Sequence, residues 1–155
     1  MATIISRSPA DTEALGAQWG AQAVPGLVIG LSGDLGAGKT QLVRGLARGL
    51  GIAARVHSPT FTLVNVYTGG RLTLFHLDLY RLANIDQIIA AGLEEYLRTD
   101  GLTVIEWGER WLGNPIAVPK SEVPASGGLP QSVRFVQIET LSQEERRITY
   151  EDTGA

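Results

Sequence analysis

A chain of 155 residues, 44% of them apolar and 19% charged, has the size and composition of one folded domain, which excludes a disordered polypeptide. A net charge of −3 argues against a protein whose main task is to grip DNA or RNA, because phosphate contacts usually demand a basic surface. The absence of cysteine removes disulfides, thiolate catalysis and thiolate metal centres, and no window approaches the roughly 18 apolar residues of a membrane span, so a soluble cytoplasmic protein is expected.

In chain order, Thr3-Ile4-Ile5 reads as a short strand, and the pattern around Ala14, Leu15, Gln18, Trp19 and Gln22 predicts a helix from about Asp11 to Ala23. Pro25-Gly26 ends it. Leu27 to Leu31 is a continuous apolar run of strand length, suited to a strand covered on both faces in a parallel sheet. After a glycine-rich loop, Leu42, Val43, Leu46, Ala47 and Leu50 recur at helical spacing. His57-Ser58-Pro59-Thr60 reads as a loop, because proline removes a donor and restricts the residue before it. Phe61 to Tyr67 and Leu72 to Asp78 are β-rich, and Thr68-Gly69-Gly70 supports a hairpin between them. Asn84 is placed to cap a helix running to about Ala91, followed by a short helical piece at Leu93 to Leu97. Leu102 to Ile105 is a second buried-strand run, ending at Glu106-Trp107. Residues 115–130 hold four prolines and two consecutive glycines and read as a surface loop, and Val133 to Glu139 with Arg147 to Tyr150 read as a terminal antiparallel pair. These elements amount to one α/β domain, 1–155, with a mixed sheet.

The loop Gly33-Asp34-Leu35-Gly36-Ala37-Gly38-Lys39-Thr40 matches G-x-x-x-x-G-K-[ST] in full, with an apolar strand before it and an amphipathic helix after it. Glycines let the backbone curl so that successive N–H groups face phosphate oxygens, and the helix N-terminus adds its positive end at the same point. Lys39 is one of only two lysines in the chain, against eleven arginines, and supplies a mobile cation for the β- and γ-phosphates. The Thr40 hydroxyl is placed to ligate Mg²⁺. The expected ligand is a nucleoside triphosphate, ATP with Mg²⁺.

Such a loop needs a second acid at a nearby strand end. The pattern favours Glu106 on the metal side, because it closes the better buried-strand run, and leaves Asp78 to orient or activate the attacking water. Ser58-Pro59-Thr60 can carry a hydroxyl that senses the γ-phosphate, as switch segments do. Trp107 either borders the nucleotide or packs in the core. His57 and His76 have no third ligand at metal spacing and read as structural or surface residues.

Together with the glycine loop, Ser58-Pro59-Thr60-Phe61-Thr62-Leu63-Val64, His76-Leu77-Asp78-Leu79-Tyr80-Arg81-Leu82 and Glu106-Trp107 resemble the TsaE (YjeE) family, the bacterial ATPase of tRNA threonylcarbamoyladenosine synthesis. The likeness runs from about Thr12 to Trp107. It implies a single P-loop NTPase domain of the α/β class, with a mainly parallel central sheet, antiparallel additions and helices on both faces. It further implies ATP hydrolysis that is weak alone and stimulated by the TsaD and TsaB proteins, with tRNA engaged only through that complex. By residue, the resemblance implies that the loop from Gly33 to Thr40 and Lys39 in particular bind phosphate, and that Thr40 and Glu106 hold Mg²⁺. It gives Thr60 to a switch-like loop and Asp78 to hydrolysis, and sets Thr12 in an N-terminal segment beside the nucleotide. Gln41 stands where many members have a second threonine, and the long stretch from Ala117 to Pro130 carries over least well.

Other readings remain distinct. A small-molecule P-loop kinase needs a lid with several arginines over the transferred phosphate, yet Trp111 to Ser132 contains only Lys120. A GTPase needs an Asn-Lys-x-Asp element, which the sequence lacks. A non-hydrolysing, nucleotide-dependent binding module would not require both Asp78 and Glu106.

Overall fold

The structure is a computed structural model that describes residues 1–34, 36–116 and 132–153. Seven strands and four α-helices appear among the described residues: β1 (Ala2–Ser6), α1 (Pro9–Gln22), β2 (Val28–Ser32), α2 (Lys39–Gly49), β3 (Val64–Tyr67), β4 (Leu74–Asp78), α3 (Ile85–Ala90), β5 (Leu102–Glu106), α4 (Glu109–Leu112), β6 (Val133–Thr140) and β7 (Arg146–Thr153). A 3₁₀ turn at Leu93–Leu97 links α3 to β5. The strands form one sheet in the order β1-β7-β6-β2-β5-β4-β3. The central four, β6, β2, β5 and β4, run parallel, whereas β1, β7 and β3 pair antiparallel at the edges.

Strand β2 lies between β5 and β6 in the middle of the sheet, and its apolar run is buried because helices pack on both faces. Side chains alternate between two cores. Ile29, Leu31, Val104 and Val136 meet Leu42, Val43, Leu46 and Trp19 of α1 and α2, whereas Val28, Ile105, Leu77 and Phe135 meet Ile88, Leu93, Trp111 and Leu112 on the opposite face. This is one α/β domain with helices on both faces. The ends of β2, β5 and β4 fall on one edge, where Leu31 pairs with Glu106 and Asp78 pairs with Glu106 across adjacent strands. Ligands of open parallel sheets bind at such carboxyl ends.

Helix α1 starts earlier than its apolar spacing predicts. Pro9 occupies the first turn and the Ser8 hydroxyl accepts the Asp11 N–H at 3.1 Å. Asn84 caps α3 as expected, accepting from Gln87 N at 3.0 Å. Helices α1 and α2 approach so closely that a Cβ on Gly45 would sit 2.1 Å from the Glu13 carbonyl oxygen. That contact brings the N-terminal half of α1 alongside the glycine loop.

Three elements differ from the sequence reading. Only Val64–Tyr67 of the expected 61–67 run is a strand, because Leu63 adopts φ 69° and its N–H turns back onto the Pro59 carbonyl at 2.7 Å. The one-turn helix α4 gave no periodic signal, since it is only four residues long. Strand β7 extends well beyond 147–150, its alternate polar residues pairing with β6 as far as Thr153. The expected 115–130 loop falls almost entirely outside the described residues, as does Leu35. Among the described residues no helix is long and apolar enough to cross a membrane.

Candidate functional site

The glycine loop leaves β2 and enters α2 through Gly38, whose backbone is left-handed at φ 102°, ψ 17°. Gly36 has φ 79°, and at neither position would a Cβ meet any described residue within 4 Å. Backbone conformation rather than space therefore calls for glycine there. Among the described residues no side chain caps α2 and no acid stands in its first turn, so its positive end is open to an anion.

Cationic side chains hold the loop carbonyls. The Lys39 ammonium donates to Gly33 O and, at 3.0 Å, to Asp34 O, and it lies 4.0 Å from the centre of the Trp107 ring. Burial pushes the Lys39 pKa below its usual value, against the opposing pull of Glu106, Glu109, Asp78 and Asp34. Arg146 donates from Nε to Ala37 O at 3.0 Å and from Nη2 to Gly36 O at 3.3 Å. In a trans peptide the C=O and N–H are opposed, so holding the Ala37 carbonyl turns the Gly38 N–H the other way. Asp34 itself is exposed, and it contributes a carbonyl rather than a carboxylate to these contacts.

Two buried acids face this loop. Thr40 Oγ1 lies 3.3 and 3.4 Å from the two oxygens of Glu106, which is 3% exposed. Asp78, also 3% exposed, accepts from Ser58 Oγ at 3.0 Å and Thr60 Oγ1 at 2.9 Å through one oxygen, and from the Tyr80 N–H at 2.9 Å through the other. The turn at Leu63, which shortens β3, thus delivers both hydroxyls to Asp78. Gly36, Gly38, Lys39, Thr40, Thr60, Asp78, Glu106 and Trp107 line one cavity of about 380 Å³.

Thr12 lies in an adjoining cavity of about 200 Å³, which shares Gly36, Gly38 and Gln41 with the first. Its hydroxyl meets Ser6 Oγ at 2.7 Å, so it borders the loop while its polar atom is engaged within the protein. Gly33 and Asp34 line a third cavity of about 470 Å³, on the Glu109 side of Trp107. Ala37 is buried behind the loop, so of the expected phosphate-binding residues it contributes only backbone. Trp107 takes φ 59° at the end of β5, and its ring centre lies 4.0 Å from the Lys39 ammonium and 5.0 Å from the Arg110 guanidinium, so it is neither a simple core residue nor fully exposed.

Several neighbours carry no local signal in the sequence. His76 is fully buried and its Nε2 lies 2.5 Å from Glu106 Oε2; the only hint is its place two residues before Asp78, on the same strand face. Arg146 is 109 residues from Ala37 in sequence and invisible to motif reading. Ser58 lies in a loop that the sequence does mark. Burial raises the Glu109 carboxyl pKa, while a hydrogen bond from Ser32 and the charges of Lys39 and Arg110 lower it.

The family model for the threonylcarbamoyl adenosine biosynthesis protein TsaE matches residues 6–148, well beyond the 12–107 span that the motifs mark. The chain is similar to the tRNA threonylcarbamoyladenosine biosynthesis protein TsaE of Treponema pallidum, with 41% identity over 94% of this chain and 96% of that one. The protein of the same name in Bacillus subtilis is 37% identical over 95% of this chain and 83% of its own length. In structure the chain is similar to crystalline YdiB of Bacillus subtilis, with a TM-score of 0.74 and 32% identity over 99% of this chain and 86% of that one. On the family match and these two relatives, the chain belongs to the TsaE family.

Proposed function

We propose that this chain binds ATP with Mg²⁺ in the 380 Å³ cavity and hydrolyses it in support of tRNA threonylcarbamoyladenosine modification, acting with TsaD and TsaB proteins. The observation that carries this reading is the convergence of the Thr40 hydroxyl and the Glu106 carboxylate at 3.3 Å, in the cavity that Lys39 also lines. An all-oxygen pair suits a hard cation, and Mg²⁺ usually takes only one or two protein ligands beside phosphate and water. The described residues hold no group of three or more His, Cys, Asp or Glu placed for a metal cage, and none is needed for such a site.

Each residue then has a role. The Gly33 to Thr40 loop wraps the phosphates. Lys39 moves from loop carbonyls to β- and γ-phosphate oxygens, its buried cation strengthened by the low dielectric. Thr40 and Glu106 would hold Mg²⁺, whose charge would offset the negative charge of the phosphates. Asp78 orients the attacking water and releases or recaptures Ser58 and Thr60 according to whether the γ-phosphate is present. Trp107 covers the Lys39 side of the cavity, and Thr12 flanks the nucleotide.

The relatives' names attach them to tRNA threonylcarbamoyladenosine biosynthesis, which supports the same setting here. An overall charge of −3 supports contact with tRNA through partner proteins rather than directly, and the absence of cysteine fits work in the cytoplasm. ATP hydrolysis measured with and without TsaD and TsaB tests the reading. Slow turnover alone and faster turnover with both partners is the expected result; no turnover in either condition contradicts it.

A further inference from the structure

Residue 76 has a cost that its core position does not explain. His76 is 0% exposed on the sheet face that also carries Leu74, where an apolar side chain would fill the space without burying polar atoms. Its Nδ1 is buried and finds no hydrogen-bond partner among the described residues. Its Nε2 contacts Glu106 Oε2 at 2.5 Å. The register makes this contact the diagonal of a parallel pair: His76 lies opposite Val104 and Asp78 opposite Glu106, so the imidazole reaches two residues along β5 on one face. Thr40, at the start of α2, approaches the same carboxylate.

We propose that His76 is a positioning residue for Glu106, holding Oε2 so that the carboxylate stays beside the Thr40 hydroxyl for a hydrated divalent cation. The tautomer that serves this contact carries its proton on Nε2 and leaves Nδ1 as a bare lone pair. That is the cheaper way to leave one nitrogen without a partner, since a buried N–H without an acceptor is the rarer defect in native proteins. A carboxylate on a long side chain has several rotamers, and fixing one oxygen removes that freedom before the cation arrives. Hydrogen-bonded partners of metal-ligating side chains commonly alter metal affinity by about 10–100-fold when removed.

This inference rests on the ATP–Mg²⁺ reading above. Its test is calorimetric binding of a non-hydrolysable ATP analogue to the full chain, in EDTA and across a Mg²⁺ series. His76→Leu is expected to bind the analogue as wild type does in EDTA, yet to need about 10–100-fold more Mg²⁺ for the gain in affinity. His76→Gln, which carries an N–H donor near the position of Nε2, is expected to return toward the wild-type requirement. His76→Asn, whose donor falls near the position of Nδ1, is expected not to. If His76→Leu does not fold, the contrast between Gln and Asn decides. An unchanged Mg²⁺ requirement in His76→Leu, or equal behaviour of the Gln and Asn variants, overturns the positioning role alone. A wild-type chain that binds no analogue in any condition overturns the ATP reading as well.

Discussion

Arg146, at the start of β7, donates from Nε to the carbonyl of Ala37 at 3.0 Å, tying the last strand to the glycine loop across 109 residues of sequence. The same guanidinium holds the Ser142 and Glu145 carbonyls at 2.8 and 2.9 Å, so one side chain closes the β6–β7 turn and shapes the loop. Arg146→Ala should therefore weaken ATP binding by about 10-fold or more, since hydrogen bonds to charged groups contribute about 1.5–3 kcal/mol. Calorimetry on a variant of wild-type melting behaviour checks this. Unchanged affinity would show that the loop holds its curve without the arginine.

Asp78→Asn should leave ATP affinity within a few-fold of wild type while lowering partner-stimulated hydrolysis by about 10²–10⁴, the range of a positioned acid–base group. The amide keeps the shape and one oxygen for the Tyr80 N–H, so binding and hydrolysis can be separated in a folded protein. Parallel loss of both quantities would make Asp78 a binding group.

Glu109 makes stability depend on pH in a defined direction. Burial raises its folded-state pKa above the ordinary 4.5, so the folded protein holds this proton more tightly than the unfolded chain. The stability it contributes is fully present below about pH 4.5 and is lost as pH rises through the raised value. Glu109→Gln removes the ionisation. The ligand-free variant should melt above wild type at neutral pH, and the difference should shrink toward pH 4.5. Melting curves that stay a constant distance apart from pH 4 to 8 would contradict this.

Much of the fold was legible because its signals are local. The Leu27–Leu31 run, the loop that follows it and the spacing of Leu42, Val43 and Leu46 each report one element, and β2 and α2 lie where these patterns place them. The same holds for Asn84 ahead of α3. What brings Lys39, Thr40, Asp78 and Glu106 around one cavity is the parallel order β2-β5-β4, which strand-end acids suggest but do not specify. Other relationships were illegible for a physical reason. The turn at Leu63 is set by one local bond, from its N–H to Pro59 O, and one tertiary bond, from the Asp78 N–H of β4 to its carbonyl; the second has no signal in the local sequence, and together they outweigh the β propensity of Phe61 and Thr62. His76 reads as an ordinary strand residue until β5 is laid beside β4. Arg146 acquires its partners only when β7 returns to the sheet edge next to β6.

The α1–α2 seam supports the site from behind. A Cβ at Gly45 would fall 2.1 Å from the Glu13 carbonyl oxygen and 2.9 Å from Ala17 N, both backbone atoms that cannot swing aside. Gly45→Ala should destabilise the protein by about 1–3 kcal/mol, the usual cost of overpacking, and thermal unfolding measures it. A melting temperature equal to wild type would mean that the two helices separate freely.

In the function proposed above, the loop at the head of α2 cradles ATP while Thr40 and Glu106 meet its metal. The decisive measurement is a crystal structure of the chain with a non-hydrolysable ATP analogue and Mg²⁺. Phosphates are expected within hydrogen-bond distance of Lys39 Nζ and the loop N–H groups, with Mg²⁺ beside Thr40 Oγ1 and Glu106. An analogue bound elsewhere, or a metal held without either residue, would contradict that function.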